Sequence, residues 1–302
     1  MRHPVVLALL LVAAPGLAAQ RPADSTTVIL LGTGMPVPAP GAQGPATAVT
    51  VGGRLFLFDA GPGVMRQMAA AGLPVRQGPI TRVFLTHLHS DHTLGLPDVI
   101  FTSWVMGRRA PLRIVGPRGT RAMARHLEAA WAEDIRIRTE GLERGAPGGH
   151  RVTVEEITGA TTVYDSGGVT IRAIPVPHGD WPHAFAYRID GPGKSVLISG
   201  DTRPSAALEQ AAAGIDILIH ETYPEVRLQP EPRPGGEAWP RYMRSFHTSD
   251  REVGGLAARV RPGLLVLYHV VRMGGTDEEL LAGVRGGGFT GRTVIGHDLD
   301  RF

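Results

Sequence analysis

"THLHSDHTLGLPD", residues 86–98, places three histidines and one aspartate within six consecutive positions. It follows directly on the apolar run "RVFL", which is typical of a buried strand. Residues two apart on an extended segment point the same way, so His87 and His89 can bind one ion. Asp91 and His92 follow a turn, from which they can reach a second ion. Because imidazole and carboxylate are common zinc ligands, the stretch predicts a metal site at the end of a strand.

The same arrangement recurs along the chain, where single ligand-type side chains stand at the ends of apolar runs. They are Asp59, His87, His178, Asp201, Glu221 and His269. In layered α/β proteins, sites form where strands end. Two ions about 3.5–4 Å apart also need a bridging carboxylate, which one loop cannot supply beside its own ligands. Taken alone, a strand-end histidine is more often a core residue. Beside the histidine cluster, His178, Asp201 and His269 become the expected further ligands.

Composition narrows the kind of site. The 302 residues are 43% hydrophobic, enough for one sizeable core. There is no cysteine, so disulfides and thiolate metal sites are excluded, and any metal must be held by His, Asp or Glu. The net charge of +3 comes from interspersed charges without a block of one sign. Charge therefore does not select a partner.

Short strands and helices alternate throughout the chain without a linker-like break, which predicts one α/β domain over residues 20–302. Gly52 and Gly53 separate two apolar runs and predict a hairpin. The Pro/Gly-rich stretch 224–240 predicts a long loop. Within the wider segment 223–246, three aromatic side chains either pack an aromatic leaving group or staple the loop. They are Trp239, Tyr242 and Phe246.

Residues 1–19 have the pattern of a signal peptide. Arg2 supplies the positive charge, residues 5–14 the apolar segment, and "GLA" at 16–18 the small-residue cleavage site. Pro15 interrupts the apolar run, so a stable membrane span is not expected. A buried N-terminal strand is the alternative. The pattern predicts a periplasmic or secreted protein.

Read together, the motifs resemble the metallo-β-lactamase superfamily, and most closely its RNase Z and arylsulfatase-like branch. "LGTGMPVP", "FDAGPG", "THLHSDHTLGLP", "VPHG", "SGDTRP", "IHET", "HTS" and "VLYH" occur in that branch's order over residues 26–302. The resemblance implies a four-layer αββα sandwich with a dinuclear site at one edge. It implies that one ion is held by His87, His89 and His178, the other by Asp91, His92 and His269, with Asp201 bridging. It also places Asp59 behind the histidine loop, where its hydrogen bonds would fix the shape of the loop.

The resemblance extends to catalysis. It implies hydrolysis of an ester by a hydroxide that bridges two divalent ions, most often zinc at an imidazole-rich site, with manganese or iron as alternatives. Asp91 is expected to accept a hydrogen bond from this nucleophile. His247, oriented by Glu221, is expected to protonate the leaving oxygen. The alternative for His247 is a structural position before the next helix, because "HTSDRE" contains good capping residues.

Two observations bear on the substrate. RNase Z carries a long tRNA-gripping arm between the segments that match His178 and Asp201, and only 22 residues separate them here. The apparent signal peptide would also carry the protein away from tRNA. The sequence therefore favours an exported phosphodiesterase or arylsulfatase-like hydrolase of a small ester, without a nucleic-acid substrate, and the resemblance implies a homodimer. Three alternatives stay open: a tRNA 3′-processing endoribonuclease, a lactonase or β-lactamase, and a non-catalytic metal-binding protein.

Overall fold

The computed structural model describes residues 26–76 and 80–302. The predicted signal peptide lies outside these residues. Within them the strands form two sheets, and helices cover the outer face of each sheet. None of the helices among these residues is long and apolar enough to cross a membrane.

The first sheet has six strands in the order β1-β2-β3-β4-β5-β6. They are β1 (Thr27–Gly32), β2 (Ala46–Val51), β3 (Arg54–Phe58), β4 (Arg82–Phe84), β5 (Leu112–Pro117) and β6 (Val152–Ile157). β1, β2 and β3 pair antiparallel, and β3 to β6 pair parallel. Gly52 and Gly53 form the turn between β2 and β3 with φ values of 54° and 70°, which confirms the predicted hairpin.

The second sheet has seven strands in the order β13-β12-β11-β10-β9-β8-β7. They are β7 (Thr161–Ser166), β8 (Val169–His178), β9 (Trp181–Asp190), β10 (Val196–Ile198), β11 (Ile217–Thr222), β12 (Leu264–Val270) and β13 (Thr293–Ile295). β10 to β13 run parallel, and β7, β8, β9 and β10 pair antiparallel. The carboxyl ends of β10, β11 and β12 therefore meet at one edge of the sheet.

The helices in the described residues form the two outer layers and several connections. They are α1 (Val64–Ala70), α2 (Ser90–Thr93), α3 (Leu96–Val105), α4 (Thr120–Ala130), α5 (Ala132–Glu140), α6 (Ala206–Ala211), α7 (Trp239–Phe246), α8 (Asp250–Val260) and α9 (Asp277–Gly286). α1 and α3 pack their apolar faces on the first sheet. α6, α8 and α9 cover the second sheet in the same way. The α/β class is therefore confirmed.

The main core lies between the two sheets. Phe58 and Phe84 of the first sheet meet Tyr187 of the second, with ring centroids 5.5 and 5.6 Å apart. Ile219 and Val266 add fully buried aliphatic side chains from the second sheet. Each sheet thus buries one face against the other sheet and one against helices, which is the predicted four-layer αββα sandwich.

The two sheets are joined at the edge where the ligand-type residues lie. The amide of Phe185 donates to the carbonyl of Thr86 at 2.9 Å, and the hydroxyl of Tyr187 donates to the carbonyl of Leu85 at 2.8 Å. These bonds fix β9 of one sheet against the segment after β4 of the other. The histidine loop is therefore held at the edge shared by both sheets.

The predicted loop at 223–246 is wrong in its last third, because α7 occupies residues 239–246. Pro240 lies in the first turn of this helix, where its missing N–H costs nothing. The remainder contains two short 3₁₀ turns, Glu225–Arg227 and Gly236–Ala238. The proline that favoured a loop in the sequence is in fact compatible with a helix start.

Candidate metal centre

Asp59 holds the histidine loop in place. It is buried directly after β3, at a φ of 57° that non-glycine residues rarely adopt. Its Oδ1 accepts from the amide of Thr86 at 2.8 Å, and its Oδ2 accepts from the Thr86 hydroxyl at 2.9 Å. Oδ2 also accepts from Nδ1 of His92 at 2.8 Å. One carboxylate therefore fixes the start of the loop and leaves Nε2 of His92 facing inward.

The first ligand cluster joins the histidine loop to the ends of β8 and β10. Its members are His87, His89, His178 and Asp201, whose ligand atoms all lie within 4.8 Å of one another. Nδ1 of His89 lies 2.9 Å from Nε2 of His87 and 3.2 Å from Nε2 of His178. Nδ1 of His178 donates to the carbonyl of Phe246 at 2.8 Å. Neutral His178 thus presents the lone pair of Nε2 to the cluster.

The second cluster consists of Asp91, His92 and His269. Nε2 of His92 and Nε2 of His269 are 3.3 Å apart, and each lies 3.7 Å from Oδ2 of Asp91. Nδ1 of His269 donates to the carbonyl of Gly34 at 2.7 Å, which again leaves Nε2 as an acceptor. His269 has a φ of 45°, and this backbone strain turns its ring from β12 toward the loop.

Asp201 lies between the clusters. Its Oδ2 is 3.8 Å from Nε2 of His87 and 3.1 Å from Nε2 of His269. Its Oδ1 lies 3.3 Å from Nε2 of His92 but makes no hydrogen bond within the described residues. A buried carboxylate oxygen without a hydrogen-bond partner is unfavourable, because nothing replaces the water that it loses on burial. Cations between these atoms would satisfy both sides, so the residues fit a pair of metal ions with Asp201 shared.

The protonation of the histidines also fits metal binding. Burial lowers the pKa of His178 to about 4 and holds that of His87 well below its usual value. Both rings are therefore neutral at pH 7, which is the form that binds metal. Burial also disfavours charge on His92, but Asp201 and Asp59 outweigh it and hold its pKa well above the usual value. In the metal-free protein His92 carries a proton, which a metal ion would displace.

A second buried carboxylate–histidine pair stands beside the clusters. Oε2 of Glu221 lies 3.3 Å from Nδ1 of His247, and its Oε1 accepts from the amides of Thr248 at 3.0 Å and Thr202 at 3.2 Å. The ring of His247 lies 5.5 Å from that of His178, between centroids. His247 is not the cap of the next helix, because Ser249 and Glu252 form its capping box. The pair is thus placed to act next to the metal centre.

The pair holds a proton between its members. Burial raises the pKa of Glu221, so the carboxylate keeps its charge only with a cationic partner nearby. Burial disfavours charge on His247, but Glu221 outweighs it and raises the pKa of the imidazole above its usual value. His247 is therefore more readily protonated than a free imidazole, which suits a proton donor.

Two contacts of the centre were not anticipated in the sequence. The indole nitrogen of Trp181 lies 2.8 Å from Nε2 of His89, on the side of the ring that faces away from the cluster. The last turn of α7 packs on the other side, with Phe246 5.0 Å from the ring of His178. Neither the tryptophan at the start of β9 nor the helix in the proline-rich segment belongs to a recognisable sequence motif. Only their position in space reveals them.

The structure brings all seven predicted ligands to one edge of the sandwich, with Glu221 and His247 beside them. Binding of metal by each of the seven, and the catalytic roles of Asp91, Glu221 and His247, stay predictions.

Comparisons with known proteins agree with this geometry. Residues 54–270 match the family model described as a beta-lactamase superfamily domain. A protein of Mycobacterium bovis (strain BCG / Pasteur 1173P2) named ribonuclease Z is 38% identical over 283 residues, which cover 91% of this chain and 96% of the relative. Ribonuclease Z of Mycobacterium marinum is 35% identical over 288 residues, covering 91% of this chain and 97% of the relative.

Solved structures share the architecture at lower sequence identity. The metallo-beta-lactamase fold protein YhfI from Bacillus subtilis superposes with a TM-score of 0.70 at 19% identity, covering 92% of this chain and 98% of that one. The short form of human tRNase Z gives a TM-score of 0.68 at 20% identity, covering 91% and 98%. At this level of sequence identity, the structural similarity supports the fold alone. Together with the two side-chain clusters, the fold provides a site for two divalent metal ions.

The main substrate prediction, an exported arylsulfatase- or phosphodiesterase-like hydrolase of small esters, is wrong. The relatives that match at 35–38% identity are named ribonuclease Z. The exclusion of nucleic acid rested on the apparent signal peptide, which no comparison tests, and on the short spacing between His178 and Asp201. The match with the Mycobacterium bovis protein covers 96% of that relative, which leaves little room there for a long arm. The absence of an arm is therefore compatible with the name ribonuclease Z and does not argue against RNA.

Proposed function

The chain belongs to the metallo-β-lactamase superfamily, and from this premise we propose that it is a ribonuclease Z, a metal-dependent endonuclease that cleaves a phosphodiester bond of precursor tRNA on the 3′ side. The observation that carries the proposal is the convergence of both ligand clusters on Asp201. Its relatives of 35–38% identity carry the name of this activity. A dinuclear centre beside a buried acid–histidine pair suits a phosphodiester, which needs charge stabilisation and a proton for the leaving oxygen.

The imidazole-rich ligand set favours zinc, with manganese or iron as alternatives. Two bound divalent ions supply positive charge for the developing negative charge of the phosphate and make water acidic enough to attack near neutral pH. The residues of this chain do the remaining work. Asp59 keeps the histidine loop in shape, and Asp201 holds both halves of the site at a fixed separation. Asp91 is positioned to accept a hydrogen bond from the attacking water.

The proton for the leaving oxygen comes from His247 in this proposal. Glu221 accepts two backbone amides through Oε1 and contacts His247 through Oε2, so the imidazole is held at Nδ1 with Nε2 free. Glu221 raises the pKa of His247, so the imidazole keeps its proton to higher pH than a free imidazole does. The ribose oxygen of RNA is a poor leaving group, and proton donation contributes most for such groups.

Cleavage of a precursor tRNA with a 3′ trailer tests the function. The protein reconstituted with zinc should release the trailer by one internal cut, and Asp201→Ala should not. Product sizes on a sequencing gel would show the position of the cut. The proposal is excluded if protein that holds two metal equivalents leaves precursor tRNA intact but hydrolyses aryl sulfates or lactones.

Two properties of the protein stay predictions: the removal of residues 1–19, with the location that it implies, and homodimerisation. We propose the removal of residues 1–19 as a separate prediction, which competes with cleavage of precursor tRNA because export would carry the protein away from that substrate. If the residues are removed, N-terminal sequencing of protein purified from its own cells should begin at Gln20. A start at Met1 would refute cleavage, and fractionation of the cells would test the periplasmic or secreted location. Homodimerisation is tested by sedimentation, where a monomer at working concentration would contradict it. The catalytic chemistry depends on neither, because the assigned residues lie between Asp59 and His269.

A further inference from the structure

The surface beside the metal centre is built by α7 and carries a row of stacked aromatic rings. Trp239, Tyr242 and Phe246 follow one another at helical spacing on one side of the helix. The ring centroids of Trp239 and Tyr242 are 5.2 Å apart at an interplanar angle of 15°, and those of Tyr242 and Phe246 are 4.3 Å apart at 22°. The row ends at the metal ligands, because Phe246 lies nearly parallel to the ring of His89 at 6.5 Å.

The row is held rigidly against the site. The carbonyl of Phe246 accepts from Nδ1 of His178 at 2.8 Å, and the amide of Gly179 donates to the carbonyl of Ser245 at 2.9 Å. A β-carbon at Gly179 would lie 2.0 Å from the Phe246 ring, so only glycine allows the ring to sit this close. Tyr242, in the middle of the row, is 38% exposed. Because Trp239 and Phe246 stack on its two sides, Tyr242 offers the exposed edge of a fixed ring to a bound molecule.

Positive charge surrounds the cavity next to this row. The cavity measures about 620 Å³, and Arg203, Arg241 and Arg244 line it together with Tyr242 and Asp180. In the described part of the chain, none of the three arginines forms an ion pair, although arginines elsewhere on the surface do. Three free guanidinium groups against one carboxylate give the cavity a net positive charge, which suits an anionic partner.

We propose that α7 and this cavity form a subsite for the single-stranded RNA next to the scissile phosphodiester. One base packs against the exposed edge of Tyr242, and the arginines contact the neighbouring phosphates. This inference rests on the proposed function, and it assigns to α7 the RNA-gripping role that the short connection between β8 and β9 does not provide. Stacking on aromatic rings and arginine contacts to phosphates are how proteins grip single strands without reading sequence.

The charge distribution favours RNA over other occupants of the groove. A purely apolar partner would leave three arginines facing it without compensation. An aromatic leaving group of a small ester would contact the edge of Tyr242 but not reach across a cavity of about 620 Å³. A polyanion with bases matches both features at once. Continuity with the metal ligands through Phe246 places its backbone beside the reacting phosphate.

Binding of labelled RNA to the metal-loaded protein tests the subsite without cleavage. The probe is a fluorescein-labelled, phosphorothioate-linked RNA single strand of about 12 nucleotides, within the usual site size of single-strand binding surfaces. Fluorescence anisotropy should show that Tyr242→Ala weakens binding about 10-fold, as expected when one base loses its aromatic contact. Tyr242→Phe should bind as the wild type, because the ring remains. The double variant Arg241→Ala/Arg244→Ala should lower the slope of log K against log salt by about 0.7 for each phosphate that the protein no longer neutralises.

Two matched variants serve as controls. Trp131 has the same 38% exposure as Tyr242 and also stacks on a neighbour, Phe101, at 5.2 Å, but it lies outside the proposed subsite. Arg285 is an exposed arginine in the last turn of α9, at the edge where β13 begins and opposite the metal centre. Trp131→Ala and Arg285→Ala should bind RNA as the wild type does.

The outcomes separate this inference from the proposed function. Weaker RNA binding by the α7 variants alone supports the subsite, whether or not precursor tRNA is cut. If Tyr242→Ala and the arginine double variant bind RNA as tightly as the two control variants, the subsite is refuted, even if precursor tRNA is cleaved. The kinetics give a second reading, in which Tyr242→Ala lowers kcat/KM about 10-fold more for precursor tRNA than for bis(4-nitrophenyl) phosphate. Equal losses on both substrates would mean that Tyr242 contacts any aromatic group that reaches the metal centre. That result would refute a specific role in RNA binding.

Discussion

Two carboxylate–histidine pairs in this molecule are built alike and are placed for different tasks. Asp59 binds Nδ1 of His92 at 2.8 Å with one oxygen and accepts a backbone amide with the other. Glu221 faces Nδ1 of His247 at 3.3 Å and also accepts backbone amides with its second oxygen. All four side chains are buried. The same local device therefore occurs once in each sheet.

The two pairs differ in what surrounds Nε2 of the histidine. Nε2 of His92 lies 3.3 Å from that of His269, inside a ligand cluster. His247 belongs to neither cluster, and its ring centroid is 6.5 Å from that of His269. In the proposed chemistry, a carboxylate behind a histidine orients a metal ligand in one pair and keeps a proton available in the other. The position of each pair in the fold decides which of these two roles it has. Variants of each pair can separate the roles.

The largest effect is expected from Asp201→Ala, which removes the carboxylate shared by both clusters. The variant should lose both metal ions together with activity, a fall of at least about 1,000-fold in kcat/KM, since the metals supply several kcal/mol to the transition state. Elemental analysis after gel filtration measures the metal content. If two metal equivalents remain, Asp201 does not bridge.

His247→Ala comes next and tests whether the second pair is free of metal. The variant should keep two metal equivalents and cleave precursor tRNA about 100- to 10,000-fold more slowly, the usual contribution of a general acid. Hydrolysis of bis(4-nitrophenyl) phosphate, whose leaving group needs no proton, should fall much less. Equal slowing of both substrates would remove the proton-donor role, and loss of metal would make the two pairs equivalent.

Asp59→Asn probes the first pair with nearly unchanged shape. Metal affinity should fall about 10- to 100-fold, the usual cost of losing a carboxylate behind a metal-binding histidine. Competition with a chelator gives the affinity. The matched change Glu221→Gln in the second pair should leave metal affinity as it is. The comparison fails if Glu221→Gln weakens metal binding as much as Asp59→Asn does.

The smallest expected effect is a shift in the pH profile of Glu221→Gln. Glu221 raises the pKa of His247, so removing its charge lowers that pKa. Activity that needs protonated His247 is lost as pH rises through this pKa, and the falling limb of the kcat profile should therefore move to lower pH in the variant. A limb at the same pH in both proteins would show that Glu221 does not set the proton affinity of His247.

The architecture and the ligand positions are predictable because each rests on short-range signals. Apolar runs predict β3, β4 and β12, and the polar residue that follows or ends each run lies at the shared edge. The histidine loop is local in sequence, so its spacing alone indicates metal. Even Asp59 can be assigned to the loop by resemblance, and its contacts to Thr86 and His92 are those expected.

The substrate side is not predictable in the same way. α7 begins at Trp239–Pro240, and a proline at a helix start looks in sequence like a proline that forbids a helix. Trp181 reaches His89 from 92 positions away, and no spacing rule connects them. The substrate prediction fails because it depends on a missing segment and on the apparent signal peptide, and neither feature reports on the surface that binds substrate. The charge and aromatic surface that could replace that segment appear only once the chain is folded.

Anomalous diffraction from crystals of the zinc-loaded protein, recorded above and below the zinc edge, tests the central claim most directly. We expect two peaks about 3.5–4 Å apart on either side of the Asp201 carboxylate, the usual spacing of a two-metal site. One peak should lie among His87, His89 and His178, and the other among Asp91, His92 and His269. A single peak, or peaks that do not share Asp201, would contradict the dinuclear centre on which the proposed chemistry depends.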